Sequence, residues 1–174
     1  MQRILIDMDD VLADASQGIL DIYNSHYGTA YVKSDFENTN LWDGEVKPKY
    51  ENVRFRLFEP GFFRNLKPKE GGIETVKMLQ EKYEIFIVSA AMEFPNSLKE
   101  KHEWLAEHMP FIHWKNMVLC GDKSVVAGDY MIDDHEKNLV SFKGTSLLFD
   151  AIHNQRTEGF ERYKTWNQIA EKLL

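Results

Sequence analysis

The sequence predicts an α/β fold: a Rossmann-like, doubly wound parallel sheet with a small, mainly helical cap inserted after the first strand. Three observations predict it. Short, unalternated apolar runs recur along the chain, helical periodicities lie between them, and the first two runs stand too far apart for a single crossover.

The runs read as strands are Arg3 to Asp7 (RILID), Glu84 to Ser89 (EIFIVS), Met117 to Cys120 (MVLC), Tyr130 to Asp133 (YMID) and Ser146 to Phe149 (SLLF). Each is brief and apolar on both faces, as a parallel strand covered by helices must be. Helical spacing appears at Ile19, Ile22, Tyr23 and His26, then at Ile73, Val76, Leu79 and Tyr83. It returns at Leu98, Trp104 and Leu105, where Ser97 and Glu100 have capping-box spacing. The last helix is the clearest: Trp166, Ile169, Ala170 and Leu173 share one face, and Thr165 with Gln168 caps it.

About 76 residues separate Asp7 from Glu84, whereas a parallel crossover needs only a dozen or more. The surplus is assigned to a cap over residues 16–68, leaving residues 1–15 and 69–174 as the sheet-bearing core. The cap is rich in aromatics: Tyr31, Phe36, Trp42, Tyr50, Phe55, Phe58, Phe62 and Phe63. Most such rings serve as the cap's own core, but Trp42, Phe62 and Phe63 are the candidates to face the cleft and stack on a planar ligand.

At 174 residues, 43% apolar and 13% aromatic, the chain suits one domain with an insertion rather than a disordered segment. A net charge of −7 argues against nucleic-acid backbones and anionic membranes as partners, though not against a small anion held by a metal. Cys120 is the only cysteine, so no intramolecular disulfide forms. With neither a charged-then-apolar leader nor a bilayer-length apolar run, a cytoplasmic location is expected.

The stretch "ILIDMDDVLAD" places four carboxylates, Asp7, Asp9, Asp10 and Asp14, within eight residues. In open α/β sheets ligands bind beyond the carboxyl ends of the strands, so the residues found there are collected as candidates. They are Asp7 and Asp9 after the first strand, Ser89 at the end of the second, Lys123 in "CGDKS" after the third, and Asp133 and Asp134 in "YMIDDHEKN". Crowded carboxylates repel and lose hydration unless compensated. Magnesium, a hard cation that takes carboxylate and carbonyl oxygens, is the natural compensator. Each element alone is common; the ordered set at strand ends is not.

These residues resemble the four motifs of the haloacid dehalogenase superfamily in its phosphatase branch. The segments "DMDDVLAD", "PGFFRNLKPKEGGIETVKML" and "DKSVVAGDYMIDDHEKNL" are similar to the 5'(3')-deoxyribonucleotidases within it. The resemblance implies that Asp7 is the nucleophile and forms an aspartyl-phosphate, and that Asp9 is the acid and then the base. It implies Mg2+ on the Asp7 carboxylate, the Asp9 carbonyl and Asp134, with Asp133 in contact or just behind. Ser89 and Lys123 are implied to bind phosphate. The implied substrate is a deoxyribonucleoside monophosphate, and a homodimer is compatible with it.

The chain departs from that pattern in three places. Asp10 stands where glycine is usual, which fits a positive φ or added charge at the cleft. Ala90 and Gly121 replace a hydroxyl and an arginine, so two phosphate donors are missing; Arg54, Arg56 and Arg64 of the cap are candidate substitutes. Among the histidines no pair has zinc-ligand spacing, His102 and His108 fall on a polar helix face, and His135 is a candidate for the cleft rim. Two rival readings stay open: a phosphatase of sugar phosphates or other small phosphomonoesters, and a phospho-accepting signalling module that does not turn over. The order of the acids, Asp-x-Asp first and Asp-Asp last, favours an enzyme.

Overall fold

The computed structural model describes residues 1–174. Six parallel strands form one sheet: β1 (Arg3–Ile6), β2 (Glu84–Ser89), β3 (Met117–Leu119), β4 (Tyr130–Asp133), β5 (Thr145–Phe149) and β6 (Glu161–Tyr163). Their order across the sheet is β3-β2-β1-β4-β5-β6. The order reverses direction at β1, which places the first acidic motif at the topological switch point.

Alternate strand residues feed two apolar layers, because successive side chains point to opposite faces. Ile4, Ile6, Ile85, Ile87, Ile132 and Leu147 join Val76 and Leu79 of α3 (Gly72–Leu79), Trp104 and Leu105 of α4 (Pro95–His108) and Ile169 of α6 (Trp166–Leu173). Leu5, Val88, Met131 and Leu148 pack on the other side with Leu139 of α5 (Glu136–Ser141). Helices thus cover both faces, and the unalternated apolar runs are explained.

The connection from β1 to β2 begins with α1 (Ala15–Tyr27) and includes α2 (Lys47–Tyr50). The rest of the insertion is built from short turns, 3₁₀ at Lys33–Phe36 and Arg54–Phe58 and π-helical at Trp42–Val46. Phe36, Val46, Tyr50, Val53 and Leu57 are buried in the same apolar cluster that contains the sheet residues, so the segment rests on the sheet layer. Its two ends run side by side: Ala13 bridges Pro68, Asp14 N–H donates to the Lys67 carbonyl at 2.8 Å, and Lys69 N–H donates to the Leu12 carbonyl at 2.7 Å.

Two capping expectations part company. Thr165 and Gln168 form the capping box that starts α6. The box expected from Ser97 and Glu100 does not exist, because α4 starts earlier, at Pro95, a position where the missing N–H costs nothing. Ser97 Oγ instead donates to the Ala91 carbonyl at 2.9 Å, and Glu100 accepts from Gly61 N at 2.7 Å and Arg64 N at 3.1 Å, tying α4 to the insertion. No helix is long and apolar enough to cross a membrane.

Candidate active site

Loops beyond the carboxyl ends of β1 to β5 meet the insertion around a cavity of about 480 Å³. Asp7, Asp9, Ser89, Lys123 and Asp134 all line it, as do Trp42, Phe62 and Phe63. Asp133 sits directly behind, fully buried at the end of β4.

Lys123 is the first organiser. Its Nζ lies 2.6 Å from Asp7 Oδ1 and 2.6 Å from Asp133 Oδ2, with only 2% of its side chain exposed. Burial would lower its pKa, but the two carboxylates outweigh burial and hold the ammonium charged, above the usual lysine range. Asp133 spends its other oxygen on His135 N–H and Asn138 Nδ2, both at 2.9 Å, so both its oxygens are engaged. Asp133 thus steadies Lys123 and the loop after β4, while its carboxylate still stands within reach of the Asp7 and Asp134 oxygens.

Lys101 is the second organiser, and it lies within α4, where the strand-end rule does not reach. The side chain is 2% exposed, and Nζ lies 2.6 Å from Asp9 Oδ2 and 2.8 Å from Ser89 Oγ. A second cation therefore stands beside the hydroxyl at the end of β2, where Ala90 and Gly121 offer no donor. A signal was present in the pattern: Ser97, Lys101, Trp104 and Leu105 share the i, i+4, i+7, i+8 stripe of α4, so a lysine occupies a buried position. Among the cap arginines, Arg54 lines the cavity, paired with Glu93 and stacked on Phe94 at 4.8 Å. Arg56 pairs with Glu59, and Arg64 with Glu107 and Glu103; neither of these arginines lines the cavity.

Asp10 adopts a positive φ of 57°, the conformation that its place in the motif suggested. It also lines the cavity, and its carboxylate, in a residue 3% exposed, accepts from Ser16 N and Ser16 Oγ, each at 2.7 Å, at the start of α1. The turn carrying Asp7 and Asp9 is thereby fixed to the helix that opens the insertion.

His153 also escaped the sequence reading, although it follows β5 and obeys the strand-end rule. Its Nε2 lies 3.1 Å from Asp134 Oδ2, and its ring stacks on His135 at 4.4 Å. Burial would depress the imidazole, but the Asp134 carboxylate outweighs it and raises the pKa to about 8. Asn154, next in sequence, donates to the Asp134 and Phe149 carbonyls at 2.8 Å each and so fixes the two loops together.

The acids are incompletely compensated. Asp7, Asp133 and Asp134 offer oxygens within 4.8 Å of one another, and Asp9 Oδ1 and Asp134 Oδ1 are buried without a hydrogen-bond partner. Burial is the main cause that raises the Asp134 pKa well above the ordinary value, with Asp7 and Asp133 adding to it. Burial also raises Asp9; Lys101 opposes that shift and Asp7 reinforces it. An all-oxygen cluster with an orphaned buried acceptor fits a hard divalent cation.

A family model described as 5' nucleotidase, deoxy (pyrimidine), cytosolic type C, matches residues 1–174. The chain is 41% identical over 171 residues to the 5'(3')-deoxyribonucleotidase of Bacillus subtilis strain 168, covering 98% of each. A 5'(3')-deoxyribonucleotidase of Bacillus phage SPbeta matches to the same extent. Among solved structures, a haloacid-dehalogenase family hydrolase from Deinococcus radiodurans superposes with a TM-score of 0.59 at 12% identity, over 97% of this chain and 93% of that one. A haloacid-dehalogenase-fold protein of Bacillus subtilis, solved bound to magnesium, also gives 0.59 at 12% identity, over 99% and 98%. At such identities the structural likeness speaks for the fold, and the sequence matches speak for the family. The full-length match and the close relatives together establish that the chain belongs to the family of deoxy (pyrimidine) 5' nucleotidases of cytosolic type C, hydrolases of phosphoric monoesters.

Proposed function

We propose that this protein is a magnesium-dependent 5'(3')-deoxyribonucleotidase that releases phosphate from deoxyribonucleoside monophosphates through an aspartyl-phosphate on Asp7. The observation that carries the reading is the convergence, at the floor of one aromatic-lined cavity, of two inward carboxylates, Asp7 and Asp9, with Lys123 beside them and the buried Lys101 directly behind Asp9 and Ser89.

In the proposed reaction an Asp7 carboxylate oxygen attacks phosphorus, forming a P–O bond as the ester P–O bond breaks. An ionised carboxylate needs no base to do this at neutral pH. Asp9 gives its proton to the departing alcohol oxygen, which burial favours by keeping that carboxyl protonated longer than usual. Asp9 then takes a proton from the water that attacks the phospho-aspartate, releasing inorganic phosphate and restoring Asp7. Ser89 Oγ, Lys101 and Lys123 offset the charge gathered on the phosphoryl oxygens. The Asp7 carboxylate, the Asp9 carbonyl and Asp134 would hold Mg2+, with Asp133 steadying them through Lys123. When bound, the ion would neutralise the acids and polarise a phosphoryl oxygen.

Residues 16–68 act in this reading as a cap that excludes water and supplies the nucleoside pocket. Trp42, Phe62 and Phe63, with Tyr50 and Phe94, give the cavity apolar walls, and its volume lies within the range of about 300–1,000 Å³ usual for small-molecule sites. The negative chain and the absence of a membrane-length helix suit a small, metal-held anion as substrate, and we place the enzyme in the cytoplasm. The test is phosphate release from a panel of 5' and 3' deoxy- and ribonucleoside monophosphates and sugar phosphates, with magnesium and with chelator. The reading requires magnesium-dependent turnover strongest on deoxyribonucleotides. Turnover on sugar phosphates alone would discard the nucleoside pocket.

A further inference from the structure

We propose that Asp134, His135 and His153 form a second cation site, selective for a borderline ion of the zinc type, which shares the Asp134 carboxylate with the hard-cation cluster. Three donors of mixed chemistry, one carboxylate and two imidazoles, have ligand atoms within 4.8 Å of one another. Around Asp134 Oδ2, His153 Nε2 stands at 3.1 Å and His135 Nε2 at 3.7 Å. A tetrahedral zinc ion with bonds of about 2.0–2.1 Å holds its ligands about 3.3 Å apart, so the observed separations bracket the required one.

Two further features point to a ligand. The buried His153 Nε2 has no hydrogen bond of acceptable geometry and stands only in ion-pair range of Asp134 Oδ2, while Asp134 Oδ1, the oxygen left to the hard-cation cluster, is likewise without a partner. The two rings lie nearly parallel, 26° apart, with the His135 side chain about half exposed at 49%. An ion therefore has a path from the cavity and meets a nitrogen on each ring. Imidazole donors favour zinc, nickel or copper over magnesium, which prefers oxygen. Asp7 and Asp133, with Lys123 between them, contribute nothing to this second set.

The consequence is competition. An ion drawn onto Asp134 by the imidazoles takes the oxygen ligand that the proposed magnesium site needs, so zinc is a dead-end inhibitor. This consequence rests on the phosphatase reading; the binding itself does not. The test is zinc binding to the whole protein in excess magnesium, read as bound zinc per chain against a competing chelator, with the ring-proton resonances of both histidines followed by NMR. One zinc per chain is expected, with both imidazoles shifting together. His135→Gln and His153→Asn should each weaken it by about tenfold or more, with the melting transition of each variant confirming its fold. Measured without magnesium, Asp7→Asn should leave zinc affinity unchanged; in excess magnesium it should hold zinc at least as tightly as the parent. No zinc retained in excess magnesium, unchanged affinity in either histidine variant, or loss of binding with Asp7→Asn would each overturn the site.

Discussion

Asp7 and Asp9 lie two residues apart yet face different partners, Asp7 on Lys123 and Asp9 on Lys101, and this separates their proposed roles. Asp7→Asn keeps the side-chain shape and leaves Lys123 paired with Asp133, so the fold should persist while turnover falls by about 10⁴-fold or more. Circular dichroism and a phosphate-release assay on one preparation check both halves. Lys101→Met tests the acid: its charge opposes the upward shift of Asp9, so its removal should raise the Asp9 pKa further. A general acid that holds its proton to higher pH moves the alkaline limb of the kcat profile upward, while KM rises because phosphate loses a cation. An unmoved limb would detach Lys101 from Asp9 chemistry. Asp7, Asp9, Ser89, Lys123 and the Asp133–Asp134 pair were legible because a single rule, polar residues at the carboxyl ends of apolar runs, collects them. Lys101 was not, because it sits in a helix whose sequence, "SLKEKHEWLAEH", reads as a polar surface. The stripe it shares with Ser97, Trp104 and Leu105 is the one signal that it faces inward, and that stripe is outweighed by the charged residues around it.

At the level of elements, the acidic turn after β1 is held by parts distant in sequence. Trp166, the first residue of α6, is 1% exposed and donates its indole N–H to the Val11 carbonyl at 2.8 Å. Gly72 at the start of α3 makes room for it, since a Cβ there would stand 2.9 Å from Trp166 Nε1. Gly72→Ala should therefore push the indole off Val11 and cost about 1–3 kcal/mol, visible as a lower urea midpoint with an unchanged m-value. Trp166→Phe, which keeps most of the volume but loses the donor, should cost about 1–3 kcal/mol for the buried carbonyl left without a partner. The strands β1 to β5 and helix α6 were readable because their patterns answer to burial on the sheet. The strand β6 was not: "ERY" is a three-residue edge strand whose pairing with β5 owes nothing to an apolar run. The turns of the insertion were equally hidden, because 3₁₀ and π segments carry no 3.6-residue periodicity and are set by how Phe36, Val46 and Leu57 reach the core.

For the whole molecule, the ruling fact is a buried excess of negative charge at the floor of the cavity in a chain that is already at −7. Asp134 illustrates the cost, since burial raises its pKa well above the ordinary carboxylate value. A carboxyl with a raised folded-state pKa contributes most at pH below its unfolded value of about 3.9, and that contribution is lost as pH rises through the folded pKa. As pH rises through that folded pKa the metal-free protein bears a growing penalty, and a divalent cation that binds only the folded, ionised cluster relieves it. At a magnesium concentration about 100 times its dissociation constant the linkage is worth about 2.7 kcal/mol, or roughly 5–10 °C in Tm for a domain of this size. The gain should grow as pH is raised from 5 to 8, because ionised Asp134 is both the proposed ligand and the source of the penalty. Asp134→Asn separates the two effects. It removes a buried charge, so the metal-free variant should melt at or above the metal-free parent, yet it should no longer respond to magnesium. Paired melting curves, parent and variant, with magnesium and with chelator at both pH values, decide it. A variant that still gains the full magnesium shift would place the cation away from Asp134 and dissolve the proposed centre.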